Sequence, residues 1–267
     1  MTGKGAPDEN FPVGSWLIAR PLRPHIHAFY RFARAADDVA DDPTLSAQIR
    51  LERLAAFATA LGDGAGPPQA HAMARSLARS GLPPDFCLDL LEAFRRDAAG
   101  AIMADWDALL EYCRYSAVPV GRYLLALHGE AAAAIPACDA LCSALQILNH
   151  IQDCGADYRR LRRIYLPADW LAAAGSASLG QRTCSPALRL VLDRCLEGCQ
   201  TLLDRAAALP GQLRRPGLKA EAAVTIALAR RLCGRLARTD PLAHKVRLTK
   251  IDKLGGLLVG LTLAMRG

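Results

Sequence analysis

Apolar residues recur along this chain at intervals of three and four, and alternating apolar/polar runs of the strand type are scarce. The segment from Ser46 to Leu61, SAQIRLERLAAFATAL, is an amphipathic helix with Ser46 at its start and Gly62 at its end. The same spacing predicts helices over Arg20–Ala40, Gln69–Ser80, Pro84–Ala101, Asp105–Tyr115, Pro119–His128, Pro136–Leu161, Ser185–Ala208, Gly217–Arg238 and Thr249–Met265. Proline and glycine at 81–84, 210–211 and 216–217 break the pattern between them. Val, Ile and Thr fill only 27 of the 267 positions, while Ala, Leu and Arg, all strong helix formers, dominate. The expectation is an all-α fold. No repeat of fixed period and no long linker divides the chain, so residues 1–267 are expected to form one domain.

Hydrophobic residues make up 52% of the chain and mean hydropathy is +0.11, which excludes disordered and low-complexity classes. The longest apolar run, Leu254 to Met265, has 12 residues and is too short to span a bilayer; a core helix is its expected role. The first residues lack the apolar stretch of a secretory signal. Nine cysteines without CxxC pairs point to free thiols in a reducing compartment, and a cytoplasmic location is expected. The loop GDGAGPP at 62–68 follows no strand, so it is not read as a phosphate loop.

Net charge is +7, but no nucleic-acid-binding module is recognisable, so no nucleic acid partner is expected. Basic residues gather at Arg159, Arg160, Arg162 and Arg163, and again at His244, Lys245, Arg247, Lys250 and Lys253. Such groups suit either a phosphate or an anionic membrane surface.

The sharpest chemistry is acidic. In Ala35–Asp42, AADDVADD, Asp37 and Asp41 are four apart, as are Asp38 and Asp42. Like charges at that spacing on a helix repel, and they stand near a helix C-terminus, where the dipole opposes negative charge. A divalent cation reverses the sign of both effects. Asp153 and Asp157 repeat the spacing 116 residues later, with Asn149 one turn and Gln146 just under two turns before Asp153. This polar stripe on an otherwise apolar helix is costly unless satisfied. Two such helices face to face would make an oxygen-rich mouth suited to Mg²⁺, which takes one or two carboxylates together with substrate phosphate oxygens.

Several other residues draw the bland reading. Cys138/Cys142 and Cys195/Cys199 are four apart, but a zinc site needs more ligands. His150 shares that spacing with Cys154 and is taken to pack on a face turned from Asp153. Trp16, Trp106 and Trp170 are taken as packing anchors, and His25 and His27 as surface or capping groups.

These motifs resemble the squalene and phytoene synthase family over most of the chain. FYRFARAADDVADD (29–42) is similar to the family's first Asp-rich motif, with Tyr30 and Arg34 at its upstream positions. QILNHIQDCGADYRRLRRIYLP (146–167) is similar to the second, including the RIYLP tail. DWDALLEYCRYSAVPVGRYLL (105–125) resembles the central segment and places Tyr112 at its characteristic tyrosine. ENFPVGS (9–15), CRYS-x-x-PVGR and NHIQDCGADYR look most like the bacterial branch that makes hydroxysqualene. Val118 departs from that branch, where Asn is expected, which touches the pocket wall and not the metal site.

The resemblance implies a helical isoprenoid-synthase bundle around a central apolar cavity and a prenyl diphosphate lipid as substrate. It implies Mg²⁺ on Asp37, Asp38, Asp41, Asp42, Asn149, Asp153 and Asp157, with Tyr30, Arg34 and Tyr112 as catalytic residues. Gln146, Arg159, Arg163 and Tyr165 are the implied substrate-binding residues. The implied reaction is conversion of presqualene diphosphate to hydroxysqualene on the route to squalene and hopanoids, beside the other enzymes of that route. The membrane-partitioning substrate leaves contact with the inner membrane face open. The alternative within the fold is head-to-head condensation of two prenyl diphosphates, giving presqualene diphosphate, squalene, phytoene or dehydrosqualene. An alternative outside it is a non-catalytic relative, which would be expected to lose the aspartates that are all present here.

Overall fold

A computed structural model describes residues 19–249 and residue 252. The readings that rest on ENFPVGS, Trp16, Lys250, Lys253 and the helix expected over Thr249–Met265 lie outside the described residues.

The described residues form eleven α-helices and no strand. They are α1 (Arg23–Ala40), α2 (Ala47–Leu61), α3 (Pro68–Ser80), α4 (Asp85–Ala98), α5 (Trp106–Ser116) and α6 (Val118–Leu127), followed by α7 (Ile135–Leu161), α8 (Ala168–Leu171), α9 (Pro186–Ala206), α10 (Leu209–Gln212) and α11 (Pro216–Leu236). Residues 20–22, expected in the first helix, form a 3-10 turn ahead of it. The short α8 and α10 escaped the periodicity because one turn is too brief to show a period.

The ends follow local chemistry. Ser46, Asp105 and Ser185 each accept a hydrogen bond from the backbone N–H three residues on, which starts α2, α5 and α9. α3 ends on Gly81 in the left-handed conformation. α7 ends on Arg162, also left-handed (φ 55°), a conformation costing about 1–2 kcal/mol for a residue with a Cβ.

Two buried clusters divide the interior. The first four helices close over Phe32, Leu54, Met73 and Leu91, joined by Tyr123 of α6. α5, α7, α9 and α11 close over Leu109, Ile147, Leu192 and Leu232. Tyr123 stacks on Phe29 with 4.3 Å between ring centroids, which ties α6 to the first cluster. The 27-residue α7 is the axis of the second cluster, packed most extensively on α9. By length and apolar content Ala132–Leu161 passes for a membrane span, but half of its apolar window is buried by its neighbours and it carries the second Asp motif.

All nine cysteines are free thiols. Trp106 and Trp170 stack 5.5 Å apart and Arg194 lies 3.9 Å over Trp170, so these two tryptophans are packing anchors, as expected.

Candidate active site

The end of the first acidic motif meets the segment just past the second, where Asp41 pairs with Arg160 and Arg163. α1 buries Ile26, Phe29, Phe32, Ala36 and Ala40, which turns Tyr30, Arg34, Asp37, Asp38 and Asp41 onto the opposite stripe. Tyr30 is half-buried one turn before Arg34. The helix stops at Ala40, and Asp41 is its C-cap. The Asp42 carboxylate lies past that end, where it accepts from Thr44 N at 2.9 Å and Thr44 Oγ1 at 2.6 Å. These bonds hold its pKa below the ordinary value. The expected helical pairing of Asp38 with Asp42 therefore does not form, because Pro43 and the Asp42–Thr44 turn end the helix first.

Arginines neutralise the remaining carboxylates. Arg34 reaches Asp37 at 2.9 Å and Asp38 at 2.8 Å. Asp41 is met by Arg160 at 2.9 Å and by Arg163, which also donates to the carbonyl of Ala40. Arg163 is nine-tenths buried. The left-handed Arg162 immediately before it turns the chain sharply back at the end of α7. Arg50 donates to Ala40 O as well, at 3.1 Å, so two guanidiniums close the C-terminus of α1.

On α7, Gln146, Asn149, Asp153 and Asp157 are half-buried and lie on the expected stripe. Gly155, on the other side of the helix, is needed for packing: a Cβ there would stand 2.5 Å from Leu242. Gln152 donates to Val246 O, which seats the basic segment at 244–247 against α7. Arg159 is exposed at the helix end.

Asp97, at the C-terminal turn of α4, is a central residue that the sequence reading missed. It accepts from Tyr112 Oη at 2.8 Å and from Tyr165 Oη at 3.0 Å. Burial raises its pKa to about 6, against the lowering effect of Arg163 and of the two phenols. Burial and the Asp97 carboxylate push both phenols up, so both remain protonated donors. The ring of Tyr165 stacks on His150 at 3.9 Å.

His150 also differs from the sequence reading. It packs, but not on a face turned from the motif: at 100° per residue it stands about 60° from Asp153 and about 20° from Asp157 on the wheel. Its ring meets Tyr112 and Tyr165, and its Nε2 lies 3.1 Å from Gln146 Nε2.

Behind Asp97, Arg163 and Tyr165 opens a cavity of about 700 Å³, walled by Ala98, Ile102, Leu161, Ile164 and Leu171.

Asp37 is the electrostatic focus. Burial, then Asp41, Asp97 and Asp38, raise its pKa to about 7 against the pull of Arg34. Its side chain keeps 34% of its surface, and water there screens part of that rise. Among the described residues no three His, Cys, Asp or Glu side chains converge into a ready-made cage. Mg²⁺ needs none, since it keeps waters and takes substrate oxygens. Hard oxygen donors crowded until one holds its proton near neutrality suit such an ion.

The squalene/phytoene synthase family model matches residues 5–253. Hydroxysqualene synthase of Rhodopseudomonas palustris is 45% identical over 258 residues, covering 94% of this chain and 87% of that protein. Hydroxysqualene synthase of Zymomonas mobilis is 43% identical over 260 residues, covering 96% and 88%. Among solved structures, squalene synthase HpnC from Alicyclobacillus acidocaldarius superposes with a TM-score of 0.67 at 29% identity, covering 95% of this chain and 87% of that one. A dehydrosqualene synthase in complex with ligand superposes with a TM-score of 0.77 at 20% identity, covering 94% and 90%, a likeness of fold alone.

Proposed function

The chain belongs to the squalene/phytoene synthase family, and on that premise we propose that it converts presqualene diphosphate to hydroxysqualene. The observation that carries the reading is the meeting of Asp41, from the first acidic motif, with Arg160 and Arg163, just past the second. Carboxylates for a cation and guanidiniums for an anion thus share one mouth, as a metal-bound diphosphate requires. The identity to proteins named hydroxysqualene synthase supports this product over others of the family.

Mg²⁺, held by Asp37, Asp41, Asp153 and Asp157 with Asp38 and Asn149 in support, would supply Lewis-acid neutralisation of the leaving group. Asp42 lies past the end of α1 with its Oδ1 held by Thr44, so its second oxygen would be the one to lend support. Arg34, Arg159, Arg160 and Arg163 bind the diphosphate oxygens. The carbon–oxygen bond to the diphosphate breaks with its electron pair on the diphosphate. The cyclopropylcarbinyl cation rearranges, water forms the new carbon–oxygen bond, and the proton leaves to the released diphosphate. Tyr30 and Tyr112 present aromatic faces to the cation. Asp97 fixes the Tyr112 and Tyr165 phenols. Burying the tail is worth about 0.8 kcal/mol per CH₂. The lipid nature of substrate and product favours transient contact with the inner membrane face and transfer to other enzymes of squalene and hopanoid synthesis.

The test offers presqualene diphosphate and farnesyl diphosphate separately to the purified protein with Mg²⁺, and products are read by mass spectrometry. Hydroxysqualene from the first, abolished by EDTA and by D37N or D153N, is the expected result. Consumption of farnesyl diphosphate alone, to a C30 diphosphate or hydrocarbon, would replace this reading with the condensing one.

A further inference from the structure

Gln146, His150, Asp153 and Asp157 fall within about 60° of one another around α7 at 100° per residue. Three of them have roles in the reading above; His150 has none. Ile147, Leu148 and Ile151 beside it are fully buried and apolar, and an apolar side chain at 150 would continue that wall. The structure places an imidazole there instead, 8% exposed, flat on Tyr165 (17° between planes) and tilted against Tyr112 at 5.8 Å. Its one hydrogen bond among the described residues joins Nε2 to the Gln146 amide at 3.1 Å.

Whichever way that amide is turned, one imidazole nitrogen and one end of the amide remain for a further partner. Neither of these atoms is among the buried ones left without a partner, so both are open to a small polar molecule, and a water needs two or more polar partners of this kind. Burial also keeps the imidazole neutral, so no positive charge is set against a cation.

We propose that the Gln146–His150 pair positions the water that captures the carbocation, making His150 the residue that decides for an alcohol over a hydrocarbon. The inference rests on the hydroxysqualene reading. In the step itself, a lone pair of the held water forms the carbon–oxygen bond and the surplus proton passes to the departed diphosphate. Without the held water, the departed diphosphate takes a proton from a neighbouring carbon instead, the C–H pair becomes a new C=C bond, and the product is a polyene.

The test uses the full chain with Mg²⁺ and presqualene diphosphate in ¹⁸O-labelled water. It reads alcohol and hydrocarbon formed per diphosphate released. That partition is independent of how much enzyme is active, so a merely structural defect leaves it unchanged. His150→Phe keeps both ring contacts, and His150→Leu serves should the larger ring disturb folding. Either should lower the alcohol-to-hydrocarbon ratio about tenfold, the effect of roughly 1.4 kcal/mol of lost orientation, whereas His150→Gln, which keeps a donor and an acceptor, should stay within about threefold of wild type. A wild-type ratio in the Phe and Leu variants would overturn the inference while leaving the functional reading intact. Absence of labelled hydroxysqualene from the wild-type protein would overturn both.

Discussion

The Tyr112 phenol donates to Asp97 at 2.8 Å and so ties α5 to the last turn of α4, inside the site and fifteen residues apart in sequence. Tyr165 takes the other carboxylate oxygen at 3.0 Å. Asp97→Asn keeps only one acceptor oxygen, and the phenol facing the new amide NH₂ can no longer donate there. The expected outcome is a fall in kcat of roughly 10- to 100-fold, the cost of misplacing a positioned group. Diphosphate release kinetics read the effect, and circular dichroism confirms an unchanged helix content.

Arg160 and Arg163 grip the same carboxylate from different environments. Arg160 is 65% exposed, and removing it as Arg160→Ala should change stability by less than about 1 kcal/mol. Arg163 is 10% exposed and also serves Ala40 O, so Arg163→Leu removes the buried donor shared by Asp41 and Ala40 O, leaving each with one arginine, and should cost about 1–3 kcal/mol. Urea denaturation of the two variants side by side distinguishes them; equal losses would contradict the arrangement.

Acid should destabilise the protein through His150. Its folded pKa is about 3 against an ordinary value of 6.5, so the unfolded chain takes the proton first as pH falls. Its contribution is complete above pH 6.5 and is lost towards pH 3, by up to about 1.4 kcal/mol per pH unit. Asp97 acts in the opposite sense: with a pKa of about 6 against 3.8, its contribution is present below 3.8 and lost as pH rises through 6. Between pH 4 and 6 the two slopes oppose each other in the wild type, so in thermal melts His150→Phe should tilt that range towards lower stability at higher pH, and Asp97→Asn should tilt it the other way.

Gly198 lies under Trp106, where an added Cβ would stand 2.4 Å from the indole ring. Gly198→Ala must push Trp106 off its stack with Trp170. A loss of about 1–3 kcal/mol is expected, together with a shift in tryptophan emission. An unchanged emission spectrum would mean that α9 yields instead of the ring.

Much of the fold was legible because its signals are local. Ser46, Asp105, Ser185 and Gly81 mark helix ends by their own hydrogen bonds and backbone angles. The acidic motifs were legible because Asp37/Asp41 and Asp153/Asp157 oppose helix energetics without a cation. Asp97 was not: a single acid in FRRDAAG carries no pattern, and only the packing of α4 against α5 brings two phenols to it. Asp42 was misplaced because spacing assumes the helix continues, and Thr44 competes for its carboxylate. His150 was legible in principle, since its angular phase follows from counting residues along α7 from Asp157.

The bridge from Asp41 to Arg160 and Arg163 has a consequence for ionic strength. The chain supplies its own counter-ions there, so added salt has little to screen. Loading is different, because a multivalent anion approaches from solution through a field that decays within about 8 Å at physiological salt. Raising the salt should therefore slow capture of substrate while leaving the resting architecture intact.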